Sequence, residues 1–231
     1  MTAAVPLLHP DASALEILQR GIKAANASVS LACSFSMEDV TIIDIAWQAG
    51  VKLGVFAIDT GRLHEETFEV AEALLERYRL KIDWYFPRHE EVEKMEREKG
   101  LYSFRESLEN RYECCRIRKV EPLARALKGV AGWVSGMRRD QSITRSDLKA
   151  IETDALNNGI LKINPLIDWN EQQVMDYAKK HNLATNRLYC RGYRSIGCAP
   201  CTRAIGTEDQ VRDGRWWWEN PEQKECGLHR R

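Results

Sequence analysis

Short apolar runs that alternate with helically spaced segments constrain this chain more than any other feature. VSLACSF (29–35), VKLGVFAIDTGR (51–62), KIDWYFP (81–87), AGWVSGMRRDQS (131–142) and LKINPLIDW (161–169) each read as a strand running into a polar turn. Between them lie helix patterns. One runs from Ala12 to Ala27 with Leu15, Leu18 and Ile22 on one face. Another starts at Ser36, has Asp39 three residues on, and stops at Gly50. A third carries Phe68, Ala71, Leu75 and Tyr78, and a fourth passes through Val174 and Tyr177. This alternation predicts an α/β fold, a mostly parallel sheet flanked by helices. Such sheets bind ligands at the carboxyl ends of their strands, near the point where strand order reverses. The polar residues just after each strand are therefore the candidates for function.

Among 231 residues, 34 Lys and Arg balance 34 Asp and Glu. Zero net charge gives no electrostatic reason to expect a nucleic-acid or anionic-membrane partner. No apolar run approaches the ~20 residues of a membrane span, and MTAAVPLLHPDASALE lacks the basic start and long apolar stretch of a secretory leader. The expected location is cytoplasmic, and a symmetric homo-oligomer is compatible with this size. No repeat or linker divides the chain. The reading is one α/β domain over 1–201 and a mobile C-terminal tail over 202–231, which is poor in aliphatics, carries Trp216, Trp217 and Trp218, and docks without a core of its own.

Seven cysteines in a reducing compartment argue for metal or redox chemistry over disulfides. Cys114 and Cys115 are adjacent, whereas Cys198 and Cys201 form a CxxC pair that by itself fits a redox dithiol or half a metal site. As a set of four thiolates they suit zinc or an iron–sulfur cluster. Adjacent residues strain to ligate one tetrahedral ion but can each take a separate corner of a cubane, so the spacing favours a cluster. Cys190 fits no pattern and reads as structural. Lone Cys226, in KECGLHRR, stands apart from any hydrophobic periodicity.

The loops after the strands supply a second set. SFSMED (34–39) offers hydroxyls and N–H groups to an anion at a helix start, although an ordinary N-cap explains it equally. DTGR (59–62) places a carboxylate and a guanidinium together, where a plain βα turn is the alternative. The loop SGMRRDQSITR (135–145) concentrates Arg138, Arg139 and Arg145. Three donor-rich loops at one sheet edge suggest a nucleotide bearing several oxyanions.

In SFSMEDV, IDTGRLHEET, CCRIRKVEPL, GMRRDQSITR, KINPLIDW, GYRSIGCAPCT and ECGLH, taken in that order, the chain resembles the assimilatory sulfonucleotide reductases, specifically the iron–sulfur type acting on adenosine 5′-phosphosulfate. The first motif departs from the usual pattern by having Ser36 where glycine is common. The resemblance implies a Rossmann-like fold of the adenine nucleotide alpha hydrolase type, a 4Fe–4S cluster on Cys114, Cys115, Cys198 and Cys201, and Cys226 as nucleophile. It further implies that Lys119 lies between cluster and substrate. Arg138, Arg212, Arg215 and His229 would hold the phosphosulfate, with Ser34, Asp59 and Arg62 nearer the nucleoside. Because the tail has no second cysteine, the electrons are expected from an external dithiol such as thioredoxin. Three rivals remain: a reductase of the 3′-phosphorylated nucleotide, a tRNA-thiolating ATP pyrophosphatase, and a zinc-bound interaction module. The pyrophosphatase lacks support in CSFSMED and in the charge, and the zinc module leaves Cys226 and the arginine loop unexplained.

Overall fold

A computed structural model of the chain describes residues 4–142 and 145–220. Its centre is a six-stranded sheet of β1 (Val29–Cys33), β2 (Gly54–Ile58), β3 (Ile82–Tyr85), β4 (Gly132–Val134), β5 (Ile151–Asp154) and β6 (Ile160–Ile163), in the order β3-β2-β1-β4-β6-β5. All neighbours are parallel except β5, which pairs antiparallel with β6 at the edge. Strand order reverses at β1, whose neighbours are β2 on one side and β4 on the other.

Among the described residues seven α-helices accompany the sheet: α1 (Ala14–Ala25), α2 (Met37–Gln48), α3 (Glu65–Tyr78), α4 (His89–Lys99), α5 (Leu108–Cys115), α6 (Glu121–Ala126) and α7 (Glu171–Lys180). The sequence patterning anticipates α1, α2, α3 and α7 and five strands. It misses α4, whose exposed, charged surface gives little apolar periodicity, α5 and α6, which are only eight and six residues long, and β5, a four-residue edge strand with one buried residue.

Local chemistry explains the boundaries. Ser13 and Glu16 close a reciprocal capping box at the start of α1, and Asn26 ends that helix in the left-handed conformation. Ser36 caps α2 by accepting from the Asp39 N–H at 3.4 Å. The Ser36 φ of −68° is ordinary for any residue, so serine meets no strain where the resemblance leads one to expect glycine. The left-handed residue of this turn is Phe35, at φ 62°. A bulky residue held there is strained, and the surrounding packing must hold it.

The main core lies between sheet and helices and includes the fully buried Leu18, Leu31, Ile42, Leu74, Leu161, Ile163 and Leu166. Each such side chain contributes about 1.5–3 kcal/mol by leaving water. Gly21 lets α1 approach β6 closely, since a Cβ there would stand 2.6 Å from Ile163 Cδ1. Buried Asp44 joins three helices by accepting from the hydroxyls of Tyr78 and Tyr177, each at 2.8 Å.

Beyond Cys201 the chain docks through few backbone contacts. Thr202 bridges Arg215, Arg203 N–H donates to Gly214 O, and Trp216 N–H donates to Cys201 O. Trp216 is 1% exposed, and Trp218 packs on Phe104 beside the second half of the cysteine set.

Candidate active site

At the carboxyl ends of β1, β2 and β4 lies a cavity of about 210 Å³. Its position is where a parallel sheet with this reversal point places its ligands. One part of the lining is apolar: Ala32, Phe56, Ile58, Leu123 and Trp133. Against it stand the cationic Lys119, Arg145, Arg194, Arg212 and Arg215, with Glu38 and Asp39 the only carboxylates in the lining among the described residues. An apolar slot beside several cations suits a flat, greasy base carrying oxyanions.

Ser34 opens the β1–α2 turn, and its backbone N–H and hydroxyl donate to Asp39 Oδ2 at 2.6 and 2.7 Å. Burial pushes the Asp39 carboxyl up to about 6, against the pull of those same Ser34 bonds. Gly136 fits against this turn, since a Cβ there would meet Asp39 Oδ1 at 2.5 Å. Arg138, 2% exposed, is absent from the lining. It donates to Glu38 Oε1 at 3.0 Å, to Asp140 Oδ2 at 3.1 Å and to Trp169 O at 3.2 Å. Gln141 also donates to Glu38 Oε1, at 2.9 Å, and Arg145 donates to the Gln141 side-chain oxygen. Arg138 thus braces the groups that line the cavity. Asp59 stays outside too, accepting from Gly61 N–H at 2.7 Å to close a turn in which Gly61 has φ 70°.

A second, smaller cavity adjoins the first. Cys114, Cys115, Cys198 and Cys201 all line it, joined by Arg62, Arg111, Arg118, Lys119, Phe104 and Trp216. Cys114 and Cys115 end α5, and residues Arg116–Val120 then form a π-helical turn, a local widening frequent at functional sites. Lys119 comes one turn after Cys115 and faces the same way. Lys119 and Cys198 line both cavities and so form the wall between them. Arg62, expected near the nucleoside, instead lines the thiol cavity. It donates to Glu96 Oε1 and to Leu101 O, each at 2.7 Å, and Arg118 donates to the same Glu96 oxygen and to Thr60 O.

The thiols differ in acidity. For Cys198, burial raises the thiol, but Lys119, the Thr60 hydroxyl 3.3 Å away, Arg215 and Arg118 outweigh it and hold the group below its ordinary value. Burial lifts Cys114, and burial with the neighbouring Cys198 lifts Cys201 to about 12.

Among the described residues no three His, Cys, Asp or Glu stand as a group that could hold a metal ion. The donor chemistry around the four thiols nevertheless fits a sulfur-ligated group. The lining is cationic, and two of its buried donors, Arg118 Nε and Trp216 Nε1, have no hydrogen-bond partner among the described residues. Electron-rich sulfur would satisfy them.

The structure therefore brings together Ser34, Lys119, Arg212 and Arg215 at one cavity and the four cysteines at the next. Cys226 and His229 lie outside the described residues. Asp39, Thr60, Trp133, Tyr189 and Arg194 line the main cavity without having been singled out. Four of them fall in or beside quoted motifs, and Trp133 carries no sequence signal that separates it from a core aromatic.

Fold and site define an α/β nucleotide-binding protein with an adjoining thiol centre. Residues 28–204 match the model of the phosphoadenosine phosphosulfate reductase domain. The chain belongs to that family. Among its relatives are the adenosine 5′-phosphosulfate reductase of Allochromatium vinosum, 45% identical over 96% of this chain and 86% of that protein, and the one from Burkholderia cepacia, 45% identical over 99% and 91%. In fold it is similar to the phosphoadenylyl-sulfate reductase of Candida auris, with TM-score 0.70 and 24% identity over 87% of this chain and 100% of that one. A Candida glabrata FMN adenylyltransferase shares the fold more loosely, with TM-score 0.54 and 17% identity over 95% and 78%.

Proposed function

We propose that this protein reduces adenosine 5′-phosphosulfate to sulfite and AMP with electrons from a dithiol protein such as thioredoxin. The observation that carries the reading is the shared wall: Lys119 and Cys198 border both the cavity suited to a nucleotide and the cavity lined by four thiols. The relatives' names point to the same substrate.

By this reading the Cys226 thiolate attacks the sulfate sulfur, forming an S–S bond as the bond from sulfur to the phosphate oxygen breaks and AMP leaves with the electron pair. A reductant thiolate then attacks Cys226 Sγ, and sulfite departs with its electron pair. The reductant's second thiol resolves the mixed disulfide, so one dithiol becomes one disulfide and Cys226 is regenerated. A sulfur bearing three oxygens repels an incoming anion. Lys119, with His229 from the tail, offsets that charge as it concentrates in the transition state, while Arg212 and Arg215 hold the phosphate oxygens of the bound nucleotide. Ser34 and the apolar wall position the nucleoside, and Arg138 acts by holding Glu38.

A 4Fe–4S cluster on Cys114, Cys115, Cys198 and Cys201 would supply a fixed charge distribution beside Lys119, since thiolate attack needs no one-electron step. Assays of anaerobically purified protein with reduced thioredoxin test the proposal. Sulfite should form far faster from adenosine 5′-phosphosulfate than from its 3′-phosphorylated form, and Cys226→Ser should keep its iron while losing turnover. Sulfite release by that variant would overturn the nucleophile assignment, and equal rates on the two nucleotides would overturn the substrate assignment.

A further inference from the structure

One ion pair at the edge of the thiol cavity has no part in the proposed reaction. Arg111, on α5 three residues before Cys114, donates through Nε to Glu219 Oε1 at 2.9 Å and through Nη2 to Glu219 Oε2 at 2.7 Å. The pair is dry, with side chains 1% and 5% exposed. A two-pronged contact of this kind fixes orientation as well as distance.

Glu219 ends the stretch of chain that carries Arg212 and Arg215. Arg212 and Arg215 line the nucleotide cavity, and Glu219 follows Arg215 by four residues. Trp216 sits at the hub. Its ring has the guanidinium carbons of Arg111, Arg215 and Arg212 at 4.8, 4.6 and 5.9 Å, and its backbone is left-handed at φ 41°. A buried tryptophan keeps that strained conformation only where the surroundings dictate it. On one side the dictating contacts come from the cysteine loop: the Thr202–Arg215 bridge, and a packing so close that a Cβ on Gly214 would stand 2.3 Å from Arg203 O. On the other side the contact is Arg111–Glu219.

We infer that Glu219 is a positioning residue: by pairing with Arg111 it locks residues 212–219 so that Arg212 and Arg215 point into the nucleotide cavity, and it ties that geometry to the helix bearing Cys114 and Cys115. This rests on the proposed function, because it assumes that the cavity takes an adenine nucleotide with an oxyanion at the arginines. Glu219 touches no substrate in this role. Its loss should weaken anion binding while leaving the chemistry of bound substrate close to normal.

The test compares wild type, Glu219→Gln and Glu219→Asp, each with its cluster loaded anaerobically. Four quantities are read: Kd for AMP by calorimetry, KM and kcat for adenosine 5′-phosphosulfate, iron content, and melting temperature. For Glu219→Gln the expectation is an AMP Kd and a substrate KM raised at least about tenfold, kcat within about threefold, and iron content unchanged, with Glu219→Asp recovering most of the affinity because it keeps the charge. Unchanged Kd and KM would overturn the inference, as would a parallel loss of iron, melting temperature and kcat with no separate effect on KM. Failure of wild type itself to bind AMP would instead bring down the nucleotide reading on which the inference stands.

Discussion

At the residue scale the β1–α2 turn makes the sharpest forecast. The Asp39 carboxyl, buried and raised from 3.8 to about 6, holds a proton more tightly in the folded chain than in the unfolded one. Stability from this group is therefore complete below about pH 4 and is lost as the pH rises through 6. Asp39→Asn cannot ionise. The stability of wild type relative to that variant, measured by urea unfolding, should fall by about 1–3 kcal/mol between pH 4 and pH 7. A flat difference would mean that the Ser34 bonds fully offset the burial. Gly197 makes a second forecast. A Cβ there would lie 2.4 Å from Arg215 Nη2 and 2.5 Å from Cζ, and Arg215 is itself buried, so it cannot swing into solvent. Gly197→Ala should raise the substrate KM at least about tenfold with the far-ultraviolet circular dichroism intact. These residues also show how far a sequence reads on its own. Ser34, Lys119 and the four cysteines are recognisable from motif and chemistry. The bracing role of Arg138 is not, because the carboxylate it holds, Glu38, lies one hundred residues away along the chain.

Among the elements, α1 sets local preference against packing. Gly21 in a helix interior costs about 1 kcal/mol relative to alanine, so propensity alone predicts that Gly21→Ala stabilises. The added methyl group would strike three atoms of Ile163, which is 0% exposed and has no free space to yield. Overpacking of such a site costs about 1–3 kcal/mol. The variant should therefore be less stable by about 1 kcal/mol in urea titration, and a gain would show that α1 can slide on β6. The same balance explains the elements that patterning passes over. Strand β5 at the sheet edge and the charged α4 bury too little for periodicity to register. The π-helical turn at Arg116–Val120 carries Lys119 to the wall between the two cavities while Cys114 and Cys115 line the second, a placement that no local window of sequence contains.

For the whole molecule, the thiol cavity joins α5, the π-helical turn, the 198–201 loop and the segment ending at Glu219. Among the described residues four cations line it: Arg62, Arg111, Arg118 and Lys119. On the proposed reading, thiolates bound to a cluster would match those charges, and neutral thiols would leave them with less compensation. Removing the iron with a chelator should lower the melting temperature by several degrees and speed proteolysis of the segment after Cys201, as followed by calorimetry and mass spectrometry. A melting temperature unchanged by iron removal would show that Glu96 and Glu219 alone balance the cations. By itself the sequence determined the class of fold, because alternating apolar periods admit few ways to bury their faces, and it determined the cysteine quartet, because donor chemistry resides in residue type. Only the tertiary structure decided which arginines face the nucleotide cavity. Arg62, Arg138 and Arg215 are equivalent as residue types, and what separates them is partners distant along the chain: Glu96 draws Arg62 to the thiols, Glu38 buries Arg138, and Ser195 and Ile196, accepting from Arg215, hold it at the nucleotide cavity.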